Sequence, residues 1–154
     1  MSNIEAKLTE LGLTLPVAPA PAGAYVPVVR TGNLAFTSGQ LPMTGGKLQS
    51  QGKVGQEVSL EEGYRLAQTC VVNALAALKQ NLGGLDRIVR VVKVVGFVAS
   101  APGFTAQPKV INGASDLLVS LFGEKGQHAR SAVGVAELPL GSPVEVELIV
   151  EVEG

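Results

Sequence analysis

The stretch Ile88-Val89-Arg90-Val91-Val92-Lys93-Val94-Val95 decides the fold. β-branched residues occupy both alternating sets of positions, so the chain here is apolar on both faces. That predicts a central strand within a run from Leu85 to Val98. Just before it, Ser59 to Leu82 carries the clearest helical pattern. Ser59 and Glu62 form a capping box, and Leu60, Tyr64, Ala67, Val71, Leu75, Leu78 and Leu82 step by three or four. Gly83-Gly84 ends it, giving a helix roughly 34 Å long at 1.5 Å per residue, enough to cross a sheet. After the central strand, a second helix is predicted from about Pro108 to Phe122. Its buried stripe is Val110, Ala114, Leu117, Leu118 and Leu121, and Gly123 closes it.

Working outward, two strands close the chain, Arg130 to Ala136 and Val144 to Glu153. In the second, Val144, Val146, Leu148, Val150 and Val152 alternate with Glu145, Glu147, Ile149, Glu151 and Glu153. Toward the N-terminus, Tyr25 to Arg30 and Leu34 to Ser38 read as a hairpin joined by Thr31-Gly32-Asn33, with Pro27 pointing to an edge strand or an irregular start. Gly39 to Gly55 holds Thr44-Gly45-Gly46-Lys47, a turn between short extended pieces. Ser2 and Glu5 cap a short first helix with Ile4, Leu8 and Leu11 on one face and Gly12 at its end. Leu13 to Ala24, with Pro16, Pro19 and Pro21, reads as an extended connector lying on the body. Strands around two long helices predict an α+β domain with both helices on one face of a mixed sheet. The other face is apolar in places and has no helix to cover it, which predicts a closed homo-oligomer.

The chain has 154 residues, the size of one ordinary domain. Lys plus Arg is 12 and Asp plus Glu is 13, a balance that argues against a large basic surface for nucleic acid, though a small patch could survive it. Apolar residues are 46% and charged ones 16%, which excludes disorder. One cysteine forbids an internal disulfide, and a single histidine removes any multi-histidine metal site. There is no apolar run of about 18 residues and no basic start followed by an apolar segment, so the expectation is a soluble cytoplasmic protein without membrane contact.

Several residues and motifs carry candidate chemistry. His128 reads as a loop residue before a strand, or as a pocket-lining donor or proton carrier. Cys70, beside the buried stripe of the long helix, reads better as a structural thiol than as a nucleophile. Thr44-Gly45-Gly46-Lys47 lacks phosphate-loop spacing, and Gly83-Gly84 follows a helix instead of opening one; both read as turns. The alternating glutamates are a solvated face, or one of them meets a cation. Arg130, at the start of an otherwise small and apolar strand, is costly unless its guanidinium finds an anion. That anion is either a strand glutamate or a substrate carboxylate gripped in two parallel hydrogen bonds.

Arg130-Ser131-Ala132-Val133, then Val135-Ala136-Glu137-Leu138-Pro139, then Val144-Glu145-Val146-Glu147 resembles the C-terminal signature of the reactive-intermediate deaminase (Rid, YjgF-like) family, also catalogued as L-PSP endoribonuclease. Ala24-Tyr25-Val26, Gly32-Asn33-Leu34 and Thr37-Ser38-Gly39-Gln40-Leu41-Pro42 match its N-terminal hairpin. The likeness spans about residues 22 to 152, placing a YjgF-like domain over 22–154 behind an N-terminal helix and Pro-rich connector over 1–21. The resemblance implies a chorismate-mutase-like fold and a homotrimer around a central β-barrel, with clefts between subunits. It also implies cofactor-independent, metal-free hydrolysis of enamines and imines such as 2-aminoacrylate to the 2-oxo acid and ammonia. By motif position, Arg130 takes the carboxylate-gripping role and Glu145 the water-positioning role. Tyr25, Ser38, Gly39, Ala132 and His128 are the expected substrate-binding positions, the last standing where many members carry Pro or Ala. Gly134 stands where Glu is common, and Ser100 to Asn112 is longer than in the deaminases, near the expected cleft rim.

Three readings follow. The first is a deaminase of small 2-imino or 2-enamino acids. The second is a non-catalytic protein that binds a metabolite carboxylate in the same cleft. The third is an endoribonuclease or translation inhibitor, disfavoured by the charge balance, by 4% aromatic residues and by the single histidine.

Overall fold

The computed structural model describes residues 2–18 and 23–154. Pro19 and Pro21 of the expected connector lie outside the described residues. Helix α1 (Asn3–Glu10) begins at Ser2, whose hydroxyl accepts from the Glu5 N–H at 3.1 Å, as the capping box predicts. Ile4 and Leu8 of α1 and the partly buried Leu13 and Leu15 join the main core, so the N-terminal segment packs on the body.

Five strands form one mixed sheet: β1 (Val28–Thr31), β2 (Leu34–Thr37), β5 (Ile88–Ala99), β6 (Ala129–Val135) and β7 (Val144–Val152), in the order β1-β2-β7-β5-β6. β5 and β6 run parallel and the other neighbours antiparallel. Thus the run from Ile88 is a central strand, with β7 on one side and β6 on the other. Its expected start at Leu85 is replaced by a single 3-10 turn, Leu85–Arg87. β1 is an edge strand that starts just past Pro27, because proline has no N–H to give to a ladder. The segment between Gly39 and Gly55 forms β3 (Met43–Thr44) and β4 (Lys47–Leu48), a small hairpin outside the main sheet.

Helices α2 (Leu60–Leu82) and α3 (Gln107–Phe122) cover one sheet face. Gly83 ends α2 in the left-handed region, φ +84°, where glycine carries no steric penalty. Two glycines set the close packing. A Cβ on Gly113 of α3 would lie 2.0 Å from the Tyr64 carbonyl oxygen of α2, and one on Gly96 of β5 would lie 2.5 Å from Ile111. The buried side of α2 is wider than the predicted stripe and adds Leu66, Cys70, Ala74 and Ala77. Tyr64 departs from the expected stripe. It is half-buried, and its hydroxyl donates to Asp116 Oδ2 of α3 at 2.7 Å. The segment from Ser100 to Asn112, expected near the cleft rim, is half helix, because α3 starts at Gln107, one residue before the predicted start.

Among the described residues, no helix covers the opposite face. Cross-strand pairing puts Val29, Phe36 and Ile149 in one row and Val133, Phe97 and Glu145 in another, with Val95 beside Glu147. Val29, Phe36 and Val133 are exposed. This is the apolar, uncovered face that the strand patterns anticipate.

Candidate active site

Arg130 lies on β6 directly opposite Val94 of β5, a residue fully buried beneath the helices. Strand neighbours share a face, so Arg130, Ala132 and Gly134 line the helix side of the sheet along its open edge. The Arg130 Nη1 donates to Asn112 Oδ1 at 2.8 Å and to Ser115 Oγ at 3.1 Å, both on α3. Ser115 Oγ is 2.8 Å from His128 Nε2, and His128 Nδ1 is 2.6 Å from the Gly126 carbonyl oxygen. The expectation that Arg130 might pair with a strand glutamate is not met. The ion pairs among the described residues are Lys53–Glu137, Arg65–Glu62 and Lys79–Glu5, and Arg130 is in none of them. A half-buried guanidinium held by neutral oxygens keeps its full charge available for an anion.

Glu145 is elsewhere. It pairs with Phe97, which pairs in turn with Val133 on β6, so these three share the uncovered face. Arg130 is an odd number of residues from Val133 and points the opposite way. The two Cα atoms are roughly 14 Å apart by strand spacing, with the sheet between the side chains. Glu145 packs against Gly39, where an added Cβ would fall 2.9 Å from its carboxyl carbon. Burial, and then the charge of Glu147, raise the Glu145 pKa above the ordinary carboxylate value.

Gly39 sits in a one-residue bulge. Phe36 is opposite Ile149 but Gln40 is opposite Val146, so the β2 side carries one extra residue. Thr37 Oγ1 fills the interrupted ladder by accepting from the Leu148 N–H at 2.9 Å. The Ser38 hydroxyl donates to the Val26 carbonyl at 2.6 Å, which ties the loop carrying the exposed Tyr25 to the bulge. The structure therefore sorts the expected site residues into two groups. Tyr25, Ser38, Gly39 and Glu145 gather at the β2–β7 end, while Arg130, Ala132 and His128 gather at the β6 edge beneath α3.

Asn112 and Ser115 were missed by the sequence reading. They are polar residues spaced i, i+3 on the shoulder of the stripe of α3, a pattern that marks a polar row beside the core. Cys70 is fully buried, and burial pushes its thiol well above the ordinary range, which suits a structural role. A concavity of about 420 Å³ under Leu13 and Thr14 contains neither Arg130 nor Glu145. No group of three or more potential metal ligands occurs among the described residues, nor is any described helix long and apolar enough to cross a membrane.

The profile of the family described as "YjgF/chorismate_mutase-like, putative endoribonuclease" matches residues 5–152. Protein TCP17 of Trypanosoma cruzi is 46% identical over 150 residues, 97% of this chain and 94% of that protein. A 2-iminobutanoate/2-iminopropanoate deaminase of Dermatophagoides farinae is 32% identical over 141 residues, covering 92% and 95%. The crystal structure of protein Atu1372, of unknown function, from Agrobacterium tumefaciens superposes with a TM-score of 0.93 at 50% identity, covering 98% of this chain and 93% of that one.

Proposed function

Because the chain belongs to the YjgF/chorismate-mutase-like family, we propose that it hydrolyses small 2-imino or 2-enamino acids, gripping their carboxylate at Arg130. The observation that carries this reading is the Arg130 guanidinium itself. It is half-buried, oriented by Asn112 and Ser115, and not neutralised by any described carboxylate. The activity named for the Dermatophagoides farinae relative is the chemistry such an anchor suits.

The opposed faces of Arg130 and Glu145 complete the proposal. One copy offers the cation at its β6 edge and another offers Glu145, Ser38 and Gly39, in a closed homotrimer whose uncovered sheet faces form a barrel. In the cleft between copies, Arg130 fixes the substrate carboxylate and Glu145 holds a water against the C=N carbon. An enamine first takes a proton at carbon to become the imine. Water adds to that imine carbon, the nitrogen takes up protons, and the C–N bond breaks to give the 2-oxo acid and ammonia. This is mainly positioning catalysis, and the raised pKa of Glu145 suits a group that accepts a proton from water and returns it.

The family description also names an endoribonuclease. General acid–base cleavage of RNA calls on histidine, and both ring nitrogens of the single histidine, His128, are engaged by Ser115 and Gly126. The deaminase reading is therefore the stronger. Its test is the decay of 2-aminoacrylate generated by a serine dehydratase and trapped with semicarbazide. The protein should speed pyruvate release, and Arg130→Ala should lower the rate about 100-fold or more, the cost of losing two charge-assisted hydrogen bonds. Full activity in that variant would remove Arg130 from the mechanism. No acceleration by the parent protein, with saturable pyruvate binding, would make it a carboxylate-binding protein instead.

A further inference from the structure

We propose that Ser115 and His128 are positioning residues that lock the Arg130 guanidinium with its Nε–Nη2 edge turned to the ligand, so that the site selects a planar carboxylate bound side-on. The inference rests on the reading of Arg130 as the carboxylate anchor.

The hydrogen positions follow from the partners. The Gly126 carbonyl can only accept, so His128 Nδ1 carries the proton. Arg130 can only donate, so Ser115 Oγ accepts from Nη1. With the proton on Nδ1, His128 Nε2 is the acceptor for the Ser115 hydroxyl proton, 2.8 Å away. The chain of bonds is thus Arg130 to Ser115 to His128, with His128 in turn tied to Gly126.

Its far end is rigid. Gly126 is buried, and a Cβ there would fall 2.3 Å from the Leu118 carbonyl oxygen, so the backbone lies directly on α3. Ser115 is on the same helix, one turn from Asn112. Together Asn112 and Ser115 take both Nη1 hydrogens. Nε and Nη2 have no partner among the described residues and form a parallel pair of donors. That edge matches the two oxygens of one carboxylate. His128 itself, with both nitrogens occupied, acts through Ser115 and does not touch the ligand.

The probe is pyruvate, followed by titration calorimetry, alongside KM and kcat with 2-aminoacrylate. Ser115→Ala and His128→Ala should each weaken pyruvate binding about 5–10-fold, the scale of one hydrogen bond. KM should rise by a similar factor, with kcat changed less than about twofold. The double variant should be no worse than Ser115→Ala, because His128 has nothing to act through once the hydroxyl is gone. Ser115→Thr, which keeps the hydroxyl, and His128→Gln, which keeps an acceptor, should restore binding. Unchanged affinity in both alanine variants, or additive losses in the double, overturns the positioning role while leaving the anchor intact. Equal pyruvate binding by Arg130→Ala and the parent, or none by the parent, overturns the anchor itself.

Discussion

Arg130 and Glu145 sit two strands apart in one sheet, yet their surroundings differ in every respect that matters for chemistry. Arg130 is on the helix side of an edge strand, where α3 supplies neutral oxygens and leaves the charge unspent. Glu145 is on the bare side of an inner strand, pressed on Gly39 and crowded by Glu147, so its charge is disfavoured. One environment preserves a full cation and the other weakens an anion. The division shows that one chain can hold an available cation and a weakened carboxylate on opposite faces of a single sheet.

Mixing inactive variants breaks or confirms that division most directly. Arg130→Ala and Glu145→Gln homo-oligomers should each lose about 100-fold or more in activity. Unfolded and refolded together in equal amounts, they should recover roughly a quarter of the parent rate, since one cleft in four in a random closed ring pairs an intact Arg130 with an intact Glu145. Recovery no greater than the sum of the two variants would place both residues in one chain's site and defeat the two-copy arrangement.

The same contrast separates two exposed valines. Val133 lies on the bare sheet face at 45% exposure, and Val119 lies on the outer surface of α3 at 40%. Val133→Asp should weaken self-association at least tenfold, because assembly would bury an unpaired carboxylate. Val119→Asp should leave the sedimentation behaviour unchanged. Equal effects at both positions would mean that the bare face is not the one that assembles.

How far this could be read from the chain alone follows the range of the interactions. α2, α3 and β5 are fixed by local patterns of stepping or β-branching, and their boundaries lie within a few residues of those predicted. The off-sheet position of β3 and β4, and the parallel pairing of β5 with β6, depend on partners distant in sequence, which no local period encodes. Tyr64 matched the apolar step of α2, but its hydroxyl reaches Asp116 on α3, a polar partner visible only once both helices are packed. Arg130 was legible because a cation among small apolar strand residues demands a reason. Its partners Asn112 and Ser115 were not, because polar residues on a helix shoulder read as ordinary solvated surface. The roles of Glu145 and Glu147 could not be separated by alternation, which places both on one face. The bulge at Gly39 separates them, since it lies against Glu145.

The smallest predicted effect tests the anionic half alone. A carboxylate whose pKa is raised in the folded chain binds its proton more tightly there than in the unfolded chain. Ionised Glu145 therefore opposes folding above its raised folded pKa. That opposition is relieved as pH falls through the folded pKa toward the ordinary value of 4.5. Glu145→Gln removes the ionisation and should raise the melting temperature by a few degrees at pH 7–8. The advantage should shrink on acidification and vanish near pH 4, where both proteins are neutral at this position. A variant less stable than the parent at neutral pH, with the deficit closing in acid, would mean that Glu145 is held by a cation in the assembled protein. The weakened-anion half of the comparison would then fall, and with it the proton-transfer role for this residue.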